Sequence, residues 1–258
     1  MPRALVTGAS SGIGYAICAE LASKGYDLVM VSRTGARLKA AAARLKESFP
    51  GVDIVCHTLD LSRPDAAGQL HEWSVSNGYP VDVLVNDAGQ YIYSEVLDTD
   101  PETLESIINL NVLALTQLCR LYGQDMVAAG SGRILNMSSY SIYMPYRGLA
   151  VYSATKIYVR QFSRCLRKEL MPCGISVTAA APAGVDTGLM GLSDRIRSIA
   201  RRTSFLMKPS TAARRLVRSM LKGRAFIIPG WYNAIWIPFL RPMGPLVNKV
   251  LDKETTLR

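Results

Sequence analysis

Tyr152 and Lys156 stand four residues apart in a segment patterned as a helix, which places both side chains on one face. A phenol and an ammonium in that relation can move a proton to or from an oxygen. Free tyrosine titrates near pH ~10, too high for a base at neutrality. A nearby cation favours the phenolate, so Lys156 is expected to lower the Tyr152 value. Two adjacent hydroxyls, Ser138 and Ser139, precede the pair, and Asn111 lies in a long predicted helix. From its own surroundings Asn111 reads as a packing residue.

A second feature sits near the N-terminus. A short apolar strand ends in Thr7-Gly8-Ala9-Ser10-Ser11-Gly12-Ile13-Gly14, and a helix follows. Glycines let backbone N–H groups approach a pyrophosphate, and a helix N-terminus adds partial positive charge. The spacing is G-x-x-x-G-x-G rather than the commoner G-x-G-x-x-G. At the end of the second strand, Ser32-Arg33-Thr34 offers a guanidinium where an NAD enzyme usually carries a carboxylate. Arg33 can pair with a ribose 2′-phosphate, which points to NADP(H). The plainer reading of Arg33 is a solvated loop arginine. Asp60, ending the third strand, is placed to bond the adenine.

These residues must be positioned by strands and helices in alternation. Strands are predicted over Arg3–Thr7, Asp27–Ser32, Asp53–Thr58, Val81–Asn86, Arg133–Ser138, Ile175–Ala180 and Ala225–Pro229. Most are apolar throughout and rich in β-branched residues, as in strands buried on both faces of a parallel sheet. Helices are predicted over Ile13–Ser23, Ala36–Ser48, Asp65–Ser76, Pro101–Ala128 and Tyr152–Met171. The pattern implies an α/β fold: a Rossmann-type doubly wound sheet of about seven strands in three α/β/α layers. With no linker or repeat, residues 1–258 read as one domain, with a substrate lid over 184–224 and an apolar, basic extension over 225–258.

Composition excludes several classes. Five scattered cysteines without a C-x-x-C pair argue against a disulfide scaffold, and with only His57 and His71 no metal site is expected. No leader pattern precedes the first strand and no apolar run reaches the ~18 residues of a spanning helix, so a cytoplasmic protein is expected. The net charge of +10 is concentrated: residues 195–251 hold 12 Lys or Arg and no acidic residue, leaving 18 basic against 20 acidic elsewhere.

Taken in order, the motifs resemble the short-chain dehydrogenase/reductase family. Besides the glycine turn, the chain carries Asn86-Asp87-Ala88-Gly89, then Asn111, Ser138-Ser139 and Tyr152-Ser153-Ala154-Thr155-Lys156, over roughly residues 3–190. The resemblance implies a hydride transfer between NADP(H) and a carbonyl, with Tyr152 as general acid or base. It implies that Lys156 also bonds the nicotinamide ribose and that Asn111 holds a water relaying protons to Lys156. Ser139, 13 residues before Tyr152, is then the substrate-oxygen donor, and Ser138 is structural. The family pattern further assigns Gly8, Ser10, Ser11, Gly12, Ile13, Gly14, Asn86, Ala88, Gly89, Pro182, Val185 and Thr187 to the cofactor. Two departures stand out: Asp87 replaces the second Asn of the tetrad, and Pro182-Ala183-Gly184 replaces Pro-Gly.

The segments expected to face the substrate are aromatic and apolar: Tyr91, Tyr93, Tyr140, Tyr143, Met144, Tyr146, Leu189 and Met190. They suit a small hydrophobic ligand, such as a 3-oxoacyl, 3-ketosphinganine-like or steroid ketone. The plain alternative is core packing. Arginines beside Trp231, Tyr232, Trp236 and Phe239 suit either a peripheral contact with an anionic membrane through 195–251 or a subunit interface. No nucleic-acid motif accompanies the basic run. Family habit implies a homodimer or homotetramer. Competing functions are a soluble sugar or polyol reductase, and a non-catalytic NADP-sensing regulator.

Overall fold

The computed structural model describes residues 1–187, 206–230 and 237–238. Seven parallel strands form one sheet in the order β3-β2-β1-β4-β5-β6-β7. The strands are β1 (Arg3–Thr7), β2 (Asp27–Ser32), β3 (Ile54–Thr58), β4 (Val83–Asn86), β5 (Gly132–Met137), β6 (Ile175–Ala180) and β7 (Phe226–Ile227). Side-chain alternation along each strand feeds two cores. Ala4, Val6, Leu28, Met30, Val83, Val85 and Leu135 pack beneath α1 (Gly12–Ala22), α2 (Gly35–Ser48) and, numbered here in order of description, α7 (Pro209–Leu221). Leu5, Val29, Val31, Leu84, Ile134 and Val177 pack against α3 (Ala66–Ser76), α5 (Leu115–Ala129) and α6 (Ala150–Leu170). Burial on both faces is why these strands are apolar at nearly every position.

The strand order reverses at β1, whose neighbours are β2 and β4. Such a reversal opens a crevice at the carboxyl ends of the strands, where ligands bind in open α/β sheets. Thr7, buried at the end of β1, ties the two sides of this crevice. Its hydroxyl donates to the Val85 carbonyl at 3.3 Å and accepts the Asp87 and Ala88 N–H groups at 3.1 and 3.0 Å.

One predicted element differs. The helix expected over Pro101–Ala128 is three pieces: α4 (Pro101–Ile108), a π-helical turn over Asn109–Ala114, and α5. Asp100 caps α4 by accepting the Thr103 N–H at 2.7 Å. The π turn carries Asn111, and widened turns of this kind frequently occur at functional sites. The expected seventh strand shrinks to two residues, Phe226 and Ile227.

Candidate active site

The glycine turn lies at the mouth of the crevice with no room for side chains. Gly8 has φ of 70°, and a Cβ there would lie 3.0 Å from the Ala88 nitrogen. A Cβ on Gly14 would lie 2.5 Å from the Gly8 carbonyl oxygen and 2.7 Å from Asp87 Oδ2. Thr187 covers Gly12: a Cβ on Gly12 would meet the Thr187 side chain at 3.2 Å. Ile13 packs with Val185 and Met207, fastening the start of the predicted lid to the turn. Ser32 donates to the Ser10 hydroxyl at 2.9 Å, and exposed Ser11 precedes α1 without capping it. Bare backbone N–H groups at an uncapped helix N-terminus fit a pyrophosphate.

Arg33 is exposed at the end of β2. Asp60 Oδ1 accepts both the Ser62 N–H, at 3.0 Å, and its hydroxyl, at 2.8 Å. Burial pushes the Asp60 carboxyl up, but these bonds, with Arg33 and Arg63 nearby, leave it below the ordinary range. Asn86 turns its side chain into the protein. Its buried amide donates to Asn136 Oδ1 at 2.8 Å, and Asn136 donates to Ser163 at 3.0 Å. The amide therefore ties β4 to β5 and builds the crevice wall.

On the other wall, α6 presents Tyr152 and Lys156 into the crevice, both buried. Ser139, at the end of β5, hydrogen-bonds Tyr152 and also accepts the Ser141 N–H at 3.1 Å. Ser138 points away and donates to the Lys156 carbonyl at 2.7 Å, anchoring α6 to β5. Lys156 Nζ donates to the Met137 carbonyl at 3.0 Å and lies 5.8 Å above the Tyr152 ring. Asn111 accepts the Gln90 N–H at 2.9 Å and donates to the Gln90 carbonyl at 3.0 Å and to Thr155 at 3.2 Å. Gly89 separates Asn111 from Lys156: a Cβ there would lie 3.2 Å from both Asn111 Oδ1 and Lys156 Nζ. Thr155 and Gln90 were not singled out in the sequence; their roles depend on partners brought in by the fold.

The electrostatics correct one expectation. The Tyr152 phenol is raised, not lowered: burial dominates, the Ser139 bond works against it, and the charge of Asp87 adds to the rise. Lys156 is itself pushed down to about 8 by burial, with Asp87 opposing that shift. Asp87 keeps some surface open to the crevice but is otherwise enclosed by protein, and burial raises it to about 7 against the pull of Lys156 and the Gly14 N–H.

Of the predicted pocket residues, Tyr91, Tyr93, Met144 and Tyr146 gather with Tyr152, Ile107 and Leu149 in one apolar cluster. The Tyr91 ring meets Tyr152 edge-on at 5.0 Å, and burial pushes its phenol up to about 12. Tyr140 lies beside this cluster, where its N–H donates to the Pro182 carbonyl at 3.0 Å. Tyr143 meets the Tyr140 ring edge-on at 5.7 Å, and Arg160 stacks over its ring at 5.4 Å and over Phe226 at 4.6 Å. That cation–π contact links Tyr143 through Arg160 to β7. Leu189 and Met190 lie outside the described residues.

A doubly wound sheet with this crevice and this Ser–Tyr–Lys arrangement defines a nicotinamide-dependent oxidoreductase. The family described as short chain dehydrogenase matches residues 2–195, and the chain belongs to it. A relative from Rattus norvegicus named very-long-chain 3-oxoacyl-CoA reductase is 36% identical over 270 aligned residues, covering 97% of this chain and 82% of that protein. One of the same name from Mus musculus is 37% identical, and the match spans 72% of this chain but 60% of that protein. Among solved structures, a short-chain dehydrogenase from Sphingobium yanoikuyae in complex with NADPH superposes with a TM-score of 0.81 at 31% identity, covering 96% of this chain and 95% of that one. L-Sorbose reductase from Gluconobacter frateurii, complexed with NADPH and L-sorbose, gives 0.78 at 26% identity, covering 89% and 95%. No described helix is long and apolar enough to cross a membrane.

Proposed function

We propose that the protein is an NADPH-dependent reductase of a hydrophobic ketone, of the 3-oxoacyl type. The observation that carries this reading is the apolar cluster of Tyr91, Tyr93, Met144 and Tyr146 around the buried Tyr152 phenol. Aromatic walls suit an acyl chain and leave a polyol's hydroxyls without partners. The names of the mammalian relatives support the same substrate class, while the likeness to a sorbose reductase keeps the polyol alternative in the test. The convergence of Ser139, Tyr152 and Lys156 weighs against a cofactor sensor without chemistry.

In this reading the backbone of Gly8 to Gly14 holds the pyrophosphate, and Arg33 pairs with the 2′-phosphate. Gly89, Val185 and Thr187 border the nicotinamide end. The bound cofactor supplies the hydride. Ser139 and Tyr152 bond the carbonyl oxygen, and Tyr152 gives it a proton. A raised Tyr152 value keeps the phenol protonated across the neutral range, the form that reduction requires. Lys156, with a water held at Asn111 across Gly89, returns the proton from solvent.

NADPH oxidation measured with long-chain 3-oxoacyl thioesters, steroid ketones and sugars tests the assignment, with the thioesters expected to turn over fastest. Preference for sugars would overturn the substrate class. Arg33→Ala should weaken NADPH binding roughly 10- to 100-fold while barely changing NADH; unchanged NADPH affinity would remove Arg33 from the site.

Anionic membrane contact is retained as a proposal with an altered geometry. Exposed Arg214, Arg218 and Lys222 recur every four residues on α7. With Lys24 they line a groove of about 500 Å³, in which Glu20 is already engaged by Lys24 at 3.1 Å. This groove lies at the C-terminal end of α1, remote from the glycine turn at its start. Attachment there holds the protein to lipid without delivering substrate to Tyr152. The aromatic part of the predicted surface falls largely outside the described residues. Flotation with vesicles containing anionic lipid should recover the protein, and reversing Arg214, Arg218 and Lys222 to Glu should abolish recovery. Exposed Ile108 on α4, with Ile157 and Tyr158 on α6, supports a self-associating face instead. A dimer by light scattering that the reversals leave intact, without flotation, would favour that face over lipid.

A further inference from the structure

Asp87 stands where the family tetrad has an amide, and its enclosure disfavours a charge there against the pull of Lys156 and the Gly14 N–H. The Gly14 N–H, in the first turn of α1, donates to its carboxyl. Its Oδ2 and the Gly8 carbonyl oxygen border the same small space: both lie within 2.7 Å of the position a Cβ on Gly14 would take. An Asn there offers one acceptor and one donor; a protonated Asp offers the same pair, whereas a carboxylate only accepts. Thr7 fixes the Asp87 backbone through the Asp87 and Ala88 N–H groups, so the side chain is held against the turn.

We propose that Asp87 makes dinucleotide binding proton-linked: its neutral carboxyl supports the glycine turn as an amide would, and its carboxylate opposes the pyrophosphate at the same helix N-terminus. This rests on reading the glycine turn as the dinucleotide seat. Ser11 supplies no side-chain cap to α1, so the carboxylate and the pyrophosphate compete for one set of N–H groups and one positive helix end.

The titratable groups facing Asp87 are Cys18 of α1 and Tyr152 and Lys156 of α6. Burial pushes the Cys18 thiol and the Tyr152 phenol up, so both are neutral near pH ~7, and Lys156 is the one opposing charge among these facing groups. The free carboxyl titrates at about 7. An arriving anion raises that value further, so binding takes up a proton where the free carboxyl is ionised, and affinity falls as pH rises through that range. Lys156, at about 8 beside Asp87, also titrates in this range, and it titrates lower once the Asp87 charge is removed.

The test is NADPH affinity by fluorescence titration for the wild type and Asp87→Asn. Near pH ~6 the two should bind alike, and by pH ~9 the wild type should lose roughly tenfold more affinity than the variant. Calorimetry in buffers of different protonation heat should show about one more proton taken up per NADPH by the wild type than by the variant. The phosphate of NADPH titrates in both proteins and drops out of the difference, whereas Lys156 loses the Asp87 charge in the variant and titrates lower there, which works against the predicted difference rather than producing it. A wild-type to variant affinity ratio that stays constant with pH overturns the proposal. If the variant does not fold, absence of proton uptake by the wild type alone overturns it. Failure of the wild type to bind NADPH at any pH removes the dinucleotide reading itself, whereas a folded variant that does not bind where the wild type does overturns the proposal.

Discussion

Tyr152→Phe should reduce carbonyl turnover by roughly 10²- to 10⁴-fold while leaving NADPH affinity within a factor of about two. The substitution deletes one hydroxyl. The ring remains, so its edge contact with Tyr91 at 5.0 Å and its place among Ile107, Tyr146 and Leu149 are kept. Lys156 does not depend on the phenol for position, because its ammonium is held by the Met137 carbonyl at 3.0 Å. What is lost is the proton donor aimed at the substrate oxygen; the Ser139 hydroxyl can still donate a hydrogen bond there while accepting the Ser141 N–H, but it is too weak an acid to hand over its proton. The measurement is steady-state NADPH oxidation with the best ketone of the substrate panel, beside a fluorescence titration of cofactor. Turnover near the wild-type level would remove Tyr152 from the chemistry. A large loss of cofactor affinity would instead mean that the phenol supports the nicotinamide site.

The strands and the glycine turn were legible because their signals are local. β1, β2 and β6 begin and end where the apolar runs do, and the turn follows β1 directly. Tyr152 and Lys156 were legible for the same reason, since one helix fixes their relation. The π turn over Asn109–Ala114 was not, because the Asn111 side chain is fixed by Gln90 and Thr155, which its own segment does not contain. The side-chain partners of Asn86 were not legible either, because Asn136 and Cys119 come from β5 and α5. The direction of the Tyr152 shift was misjudged for a related reason. A spacing of four residues announces a nearby cation but is silent on burial, and here burial dominates. Asp87 showed in sequence only as a departure from the tetrad; its enclosure between Gly14 and Lys156 is what makes its charge matter.

Gly14→Ala should lower NADPH affinity roughly 10²-fold and destabilise the cofactor-free protein by about 1–3 kcal/mol, a larger binding effect than is expected of most single side chains at the crevice. Gly14 sits inside α1, so helix propensity alone would favour alanine. Space decides otherwise. The added methyl would stand 2.5 Å from the Gly8 oxygen, 2.9 Å from the Gly8 carbonyl carbon and 2.7 Å from Asp87 Oδ2. Two of these atoms are backbone of the same turn. That turn is pinned by Thr7 to β4 and by the Ala9 N–H to the Val31 carbonyl at 3.1 Å, so it does not move freely. Relief requires α1 to shift away from the end of β1, which displaces the N–H groups meant for the pyrophosphate. Asp87 is pushed at the same time, so a pH-dependent loss on top of the steric one is expected. Thermal unfolding and fluorescence titration of the purified variant measure the two effects separately. A folded variant that binds NADPH like the wild type would show that the crevice between β1 and β4 is not where the dinucleotide sits.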